Sequence, residues 1–329
     1  MIKVFSTVVL VLVLAVASHV AVADTIRVPE DQPTIQAAID AASAGDQVRV
    51  GPGQWCGATV TKQLDLFGEG GATLVGCPSP APNLAGVLRI GFFLPNASAS
   101  GTTIRHFVFD GRGVSNANLA PLSFAVFARD ASNVVVEQNN ILGTVQAITN
   151  TQGSGWTVSH NTIDGLTVFA CDGPFCGGGD GIVFQERRVA MPRGADNGAT
   201  FNVITGAVPN ALNAFSMVGI LAIAQDGTVI KNNRISIPNN PVALGDGQAI
   251  VITDACCGLP AGFLTSINSV IVNNDGRGSE FSVVIEKDFG GGTGNSAGTT
   301  LRGNFGVNDI NGSTDTVRNR SIHTLIDFP

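Results

Sequence analysis

The apolar and polar positions of this chain repeat one pattern six times between residues 125 and 304. Each copy opens with a small residue followed by apolar residues. It later carries an apolar-x-x-Asn motif, which continues as x-apolar-x-Gly in the more complete copies. Repetition at a period of roughly 20–40 residues indicates stacked coils, each of which buries its apolar side against its neighbours. The copies begin at Ala125, Ala147, Gly181, Gly219, Ala249 and Ser282, and their asparagines are Asn139, Asn161, Asn202, Asn233, Asn274 and Asn304.

The repeat predicts two files of stacked side chains. The asparagines form one file at a turn, because Asn tolerates the left-handed conformation and its side chain can bond to backbone groups one coil away. Phe107 fills the equivalent place one coil earlier. We expect the asparagine file to be structural, since stacked amides satisfy one another. The other file is interior and apolar, and consists of Val126, Ile148, Ile182, Ile220, Ile250 and Val283.

The spacing between copies predicts where loops protrude. The six copies start 22, 34, 38, 30 and 33 residues apart, whereas a minimal coil needs only about 20 residues. The surplus is expected in loops around residues 166–180, 187–199 and 254–268, and loops are where functional residues concentrate.

The segment 24–75 has a different pattern and is interpreted as an N-terminal cap with the first coils. Residues 33–42 have helical periodicity, with apolar positions at Ile35, Ala38, Ile39 and Ala42. Residues 25–28, 47–50, 58–60 and 64–68 alternate like strands, and Pro52-Gly53 is interpreted as a turn. A helix that covers the exposed end of a stacked sheet is physically expected.

Residues 1–23 are interpreted as a signal peptide. Lys3 supplies the positive charge, residues 8–17 form a short apolar run, and Ala21-Val22-Ala23 resembles a cleavage site. The remainder, 24–329, is expected to be one β-helix domain that is secreted or periplasmic and has no membrane span. Its oligomeric state is left open.

Charge and aromatic content narrow the range of partners. The formal net charge is −7 and only 13% of residues are charged, which argues against nucleic acid as a partner. There is no tyrosine and there are two tryptophans. This scarcity weighs against a long, high-affinity glycan groove.

The six cysteines are expected to form disulfides, since export favours oxidation. The pairs Cys56–Cys77 and Cys171–Cys176 are predicted, whereas the pairing of Cys256 and Cys257 is left open. Their spacing matches no zinc motif, so no metal site is predicted, and no cofactor is expected.

Three N-terminal segments, 33–42, 45–53 and 64–70, closely resemble the opening of right-handed parallel β-helix proteins of the pectin-lyase-like superfamily. Together with the asparagine repeats, the resemblance covers most of residues 25–310. It implies an all-β fold: a single-stranded right-handed parallel β-helix with an N-terminal capping α-helix. It specifies an activity only weakly.

Acidic residues near one edge of the coils are candidate catalytic groups. Glu186 and Asp254 stand five residues after the small opening residue of their copies, and Asp226 lies between them along the axis. Carboxylates about 5–9.5 Å apart perform glycoside hydrolysis, and clustered carboxylates also hold calcium, although no calcium motif is present. Arg187 and Arg188 could bind the carboxylate of an acidic sugar. The alternative is that these residues form solvated ion pairs at turns.

The loop before the third copy supplies two further candidates. Asp180-Gly181-Ile182 matches a fragment of the acidic catalytic cluster in proteins that resemble polygalacturonases, but the rest of that pattern is missing. The same fragment also occurs where a turn simply leads into a strand. Asp180 is therefore a candidate catalytic residue, and Asp172, in the loop that Cys171 and Cys176 would close, is a candidate for substrate binding.

The sequence thus predicts an exported β-helix protein that contacts extracellular or cell-envelope polysaccharide without a recognisable catalytic signature. The alternative is a glycoside hydrolase or polysaccharide lyase that uses the carboxylates on the side of the β-helix. Fold alone does not decide between them.

Overall fold

The structure is a computed structural model, and it describes residues 23–78, 80–84, 88–112, 122–167, 179–186, 193–206, 217–238, 247–253, 266–285, 298–309 and 324–327. Almost all regular structure in these ranges is parallel β-strand, accompanied by one short α-helix and one 3₁₀ turn. No helix in the described part of the chain is long and apolar enough to cross a membrane.

The first strands and the helix are β1 (Thr25–Val28), α1 (Ile35–Ala41), β2 (Gln47–Val50), β3 (Gly53–Cys56), β4 (Ala58–Thr59), β5 (Asp65–Gly68), β6 (Ala72–Val75), β7 (Asn83–Leu84), β8 (Leu88–Leu94), β9 (Thr103–Arg105) and β10 (Val108–Asp110). The central strands are β11 (Leu122–Arg129), β12 (Val135–Glu137), β13 (Asn140–Leu142), β14 (Gln146–Thr151), β15 (Thr157–Ser159), β16 (Thr162–Leu166), β17 (Asp180–Gln185), β18 (Gly194–Ala195), β19 (Gly198–Thr200) and β20 (Val203–Gly206). The last are β21 (Met217–Ile223), β22 (Gln225–Asp226), β23 (Val229–Lys231), β24 (Arg234–Ser236), β25 (Gly247–Thr253), β26 (Val270–Val272), β27 (Phe281–Ile285), β28 (Thr300–Arg302), β29 (Gly306–Asp309) and β30 (Thr324–Asp327).

Three long parallel sheets run along the molecule, and most coils contribute one strand to each of them. Sheet A has the order β1-β2-β5-β9-β12-β15-β19-β23-β26-β28, and sheet B has the order β3-β6-β10-β13-β16-β20-β24. Sheet C has the order β4-β8-β11-β14-β17-β21-β25-β27-β29-β30 with β7 paired to β8, and β18 pairs with β22 in a short fourth sheet. The predicted parallel β-helix is confirmed.

The predicted interior apolar file is confirmed. Its members are register partners in successive strands of sheet C, and each is fully buried: Val126, Ile148, Ile182, Ile220, Ile250 and Val283. Trp156 is also buried, and its indole Nε1 donates to the Ala131 carbonyl at 2.7 Å. It therefore packs in the core rather than offering a face to a ligand.

The asparagine file forms a continuous hydrogen-bonded ladder between sheets A and B. From Asn139 to Asn304, each Nδ2 donates to the Oδ1 of the next asparagine at 2.9–3.1 Å. The same Oδ1 atoms accept from the backbone N–H groups of the preceding coil. Phe107 precedes the ladder as predicted, and its N–H donates to Asn139 Oδ1. Every ladder amide is buried.

Helix α1 forms within the segment that was predicted to be helical. The side chain of Thr34 accepts a hydrogen bond from Ala37 N–H and caps the first turn, while Ile35 and Ile39 are buried. Gln36 exchanges hydrogen bonds with the backbone of Thr59 in sheet C. The prediction that this helix caps the β-helix stays a prediction.

The interpretation of Pro52-Gly53 as a turn is incomplete. Gly53 begins strand β3, which pairs with β6 in sheet B. Gly53 has φ 137°, a value that residues with a side chain rarely adopt, so the chain bends sharply and becomes strand at the same residue. Trp55 packs against the core from β3, and its Nε1 donates to the Gly51 carbonyl.

The predicted disulfide between Cys56 and Cys77 is present, with 21 residues of sequence separation. We expect the double substitution Cys56→Ser with Cys77→Ser to lower the free energy of unfolding by about 3 kcal/mol, because the unfolded chain loses a loop constraint of this length. Urea unfolding at neutral pH, followed by circular dichroism, measures this effect. An unchanged midpoint would show that the bond does not constrain the first coils. Cys171, Cys176, Cys256 and Cys257 lie outside the described residues.

Candidate functional site

Asp180, one of the predicted catalytic residues, opens strand β17 on sheet C and lies on the outer face of that sheet. Its neighbour Gly181 faces the interior, since a Cβ there would lie 3.0 Å from Ile204 Cγ2 of sheet B. Ile182 also faces the interior, so strict alternation is interrupted here. Asp180 is in register with Val218, which belongs to an apolar cluster separate from the interior core, so Asp180 points outward. It is nevertheless only 8% exposed.

Two polar residues of the preceding strand hold Asp180 in place. Gln146, the register partner of Asp180 in β14, donates from Nε2 to Asp180 Oδ2 at 2.9 Å. The Oε1 of Gln146 accepts in turn from Thr149 Oγ1 at 3.0 Å, and Thr149 is fully buried. The three side chains form one connected polar group, which we call the Asp180 network. Thr149 orients the side chain of Gln146, and Gln146 in turn orients the carboxyl group of Asp180.

Apolar side chains surround the Asp180 network on the outer face. Phe124 and Val218 are the register partners of Gln146 and Asp180 in the adjoining strands, and both are largely buried. Because of this desolvation the pKa of Asp180 rises to about 7, although the hydrogen bond from Gln146 opposes the rise. The carboxyl group is therefore close to half protonated near neutral pH.

A second polar contact lies further along the same strands. Gln185, the last residue of β17, donates from Nε2 to Thr151 Oγ1 at 2.9 Å. Beyond it, Glu186 is buried, and its backbone N–H donates to the Ile223 carbonyl. The predicted register of the coils holds here, since Glu186 occupies the row of Ala224 in the next coil.

Asp180 and Glu186 do not form a carboxylate pair. They flank opposite ends of strand β17. Six residues of strand span about 20 Å, whereas glycoside hydrolysis uses carboxylates about 5–9.5 Å apart. The two candidate residues therefore belong to separate regions of sheet C.

Asp226 lies in the next coil after Asp180 and Glu186. It belongs to β22, where it pairs with Ala195 of β18, two residues beyond the row that Glu186 and Ala224 share. Its Oδ1 accepts a hydrogen bond from Asn268 Nδ2 at 2.8 Å. This hydrogen bond connects consecutive coils at an exposed turn, so it serves to hold the coils together.

The remaining predicted site residues, Asp172, Arg187, Arg188 and Asp254, lie outside the described residues. Within the described ranges, no three His, Cys, Asp or Glu side chains are arranged so that they could hold a metal ion.

Sequence reasoning identified Asp180 but missed Gln146 and Thr149. Gln146 lies 34 residues before Asp180, and only the register of β14 against β17 brings the two together. A signal was present, because Gln146 and Asp180 each stand directly before the small opening residue of their copies. Comparing that position across all copies would have placed them side by side.

No protein-family model matches the sequence, and no curated protein matches it. Among solved structures, a polygalacturonase from Erwinia carotovora ssp. carotovora is similar with a TM-score of 0.57 and 14% identity, over 92% of this chain and 80% of the enzyme. PfbA, a surface adhesin of Streptococcus pneumoniae, is similar with a TM-score of 0.53 and 12% identity, over 88% of this chain and 75% of the adhesin. The chain therefore shares the right-handed parallel β-helix fold of these two structures.

Proposed function

We propose that this protein is exported and contacts a polysaccharide through the outer face of sheet C, around the Asp180 network, as a binding protein. The observation that carries the proposal is the connected group of Gln146, Thr149 and Asp180 within an apolar outer face. Binding sites for small molecules and sugars typically combine an apolar lining with a few oriented polar groups.

Three further observations support export and glycan contact. The interpretation of residues 1–23 as a signal peptide agrees with the Cys56–Cys77 disulfide, a bond that persists in oxidising compartments. The fold is shared with a protein whose name denotes the cleavage of a polysaccharide and with one described as a surface adhesin. In this proposal α1 covers the N-terminal end of the stacked sheets, and the predicted Arg187 and Arg188 would contact an acidic sugar.

The binding proposal is tested by substitution at Gln146. We expect Gln146→Ala to weaken binding to the preferred polysaccharide by up to roughly tenfold, because a neutral hydrogen bond contributes about 0.5–1.5 kcal/mol and about 1.4 kcal/mol is a factor of ten. Affinity gel electrophoresis against a panel of soluble neutral and acidic polysaccharides measures the change. Asp164→Asn is the matched control, since Asp164 is an exposed polar residue on sheet B. Equal affinities for wild type and Gln146→Ala would refute the assignment of this surface.

An enzyme is the second candidate function, and the pKa of Asp180 favours it. A carboxyl group with a pKa of about 7 is suited to general acid catalysis at neutral pH. If Asp180 transfers a proton, Asp180→Asn should lower the release of reducing ends or unsaturated products by roughly 10²–10⁴-fold. In a binding protein the same variant keeps its affinity, because asparagine is isosteric with the protonated acid and still accepts from Gln146.

A further inference from the structure

A second surface, outside sheet C, has the features of a ligand site. Phe107 and the first five ladder asparagines are each preceded by an exposed residue with positive φ, and these residues stack along the outside of the corner between sheets A and B. In order they are His106 (φ 63°), Gln138 (55°), His160 (55°), Phe201 (57°), Asn232 (57°) and Asn273 (56°). A groove of about 730 Å³ follows this corner, and its lining includes Arg49, Phe67, His106, Gln138, His160 and Thr162. We call it the corner groove.

Ring systems recur along the corner groove. Phe67 and His106 line the groove and have ring centroids 5.0 Å apart. His160 also lines it and stacks at 5.0 Å, with an interplanar angle of 14°, on Phe201, which adjoins the groove in the next coil. Among the described residues, Phe201 and Val203 are the large apolar side chains that stay exposed, at 51% and 41%. Successive coils are about 4.8 Å apart, so the rings from Phe67 to Phe201 span roughly 19 Å.

The positive-φ backbone at this corner is more favourable for glycine or asparagine than for the rings found along the groove. A bulky side chain at positive φ is unfavourable, and glycine or asparagine is the usual occupant. The coils beyond Phe201 have Asn232 and Asn273 at this position, whereas the coils from His106 to Phe201 have rings and a glutamine. Such exceptions persist at functional sites when the side chain is needed there.

The charges of the corner groove favour a neutral ligand. Arg49 forms an ion pair with Glu69 inside the groove, and the adjacent Arg105 is paired with Asp65 at 2.8 Å. An acidic polymer would have to displace these carboxylates and approach a chain with a formal net charge of −7. Exposed Gln138, Asn140 and Thr162 instead offer uncharged donors and acceptors next to the rings.

We infer that the corner groove binds a neutral polysaccharide that lies along the axis of the β-helix. Sugar rings present C–H groups on their faces and hydroxyls at their edges, which match aromatic rings that alternate with amide and hydroxyl side chains. A linear polymer in this direction meets a ring or an amide at every coil. The inference rests on the proposed polysaccharide contact and adds a second contact surface, which is separate from the Asp180 network.

The test uses the full chain and two glycine substitutions, Phe201→Gly and His160→Gly. Glycine accepts positive φ without strain, so both variants should keep the urea midpoint of the wild type. We expect each to weaken binding to a soluble neutral glucan or mannan by roughly tenfold, since a ring contact is lost. Asn273→Gly is the matched control, because it changes the same backbone position two coils beyond Phe201. It should bind as the wild type does.

Four outcomes overturn the inference. Unchanged affinity of Phe201→Gly for the neutral polymer would show that the groove is not its site, while the Gln146→Ala result would still decide the proposed function. Binding of polygalacturonate alone would contradict the neutral ligand. Loss of a dimer in Phe201→Gly, seen by sedimentation velocity, would identify the groove as a self-interface. Failure of the wild type to bind any polysaccharide would overturn both proposals.

Discussion

Replacing Asp180 by asparagine is expected to make the protein more stable than the wild type at pH 8, by up to about 4 kcal/mol. In the folded protein the pKa of Asp180 is raised from 3.8 to about 7 by desolvation. Its contribution to stability is therefore fully present below about pH 4 and is lost as the pH rises through about 7. Asparagine stays neutral throughout, so the variant avoids this loss.

The measurement is the difference in unfolding free energy between wild type and Asp180→Asn from pH 4 to pH 8, obtained by urea titration. The difference should be near zero at the acid end, grow with pH and level off above pH 7. Asp110→Asn is a control of opposite sign, because Arg112 lowers the pKa of Asp110 and the variant should be slightly less stable at neutral pH. A difference for Asp180→Asn that does not change with pH would contradict the buried environment described for this carboxyl group.

The second large effect is expected in the asparagine ladder. Asn202 donates to the Val158 carbonyl and to Asn233 Oδ1, and its own Oδ1 accepts from Asn161 N and Nδ2. Asn202→Ala removes all four hydrogen bonds at a buried position and leaves their partners without replacements. Because each buried polar group left unsatisfied costs about 1–3 kcal/mol, the variant should lose on the order of 3–5 kcal/mol of stability.

Asn140→Ala is the matched control for the ladder, since Asn140 is exposed at the start of β13. Its effect should stay within about 0.5 kcal/mol. Urea unfolding followed by circular dichroism compares the two variants. A similar small loss for Asn202→Ala would mean that water or a rearranged turn replaces the ladder bonds.

Much of the fold can be predicted from the sequence because every coil needs the same residue types at the same positions. The interior file at Ile148 or Ile220 and the ladder at Asn161 or Asn202 follow from this regularity. The beginning of β3 could not be predicted, because Pro52-Gly53 indicates a turn and Gly53 combines that bend with the first strand position.

The site is less predictable than the fold because it depends on contacts between coils of unequal length. The acidic character of Asp180 is visible in the sequence, but its partner Gln146 is brought to it only by sheet register. The corner groove was missed for a related reason. His160 and Phe201 are each unremarkable beside a ladder asparagine, and they become a surface only when successive coils are aligned.

The central claim is that this β-helix binds a polysaccharide rather than cleaving it. Equilibrium binding of the wild-type protein to a panel of soluble polysaccharides, with the same mixtures assayed for reducing ends and unsaturated products, tests it most directly. We predict saturable binding to at least one polysaccharide with no product release above that of the buffer. Either the absence of binding across the panel, or product release that Asp180→Asn abolishes, would contradict the claim.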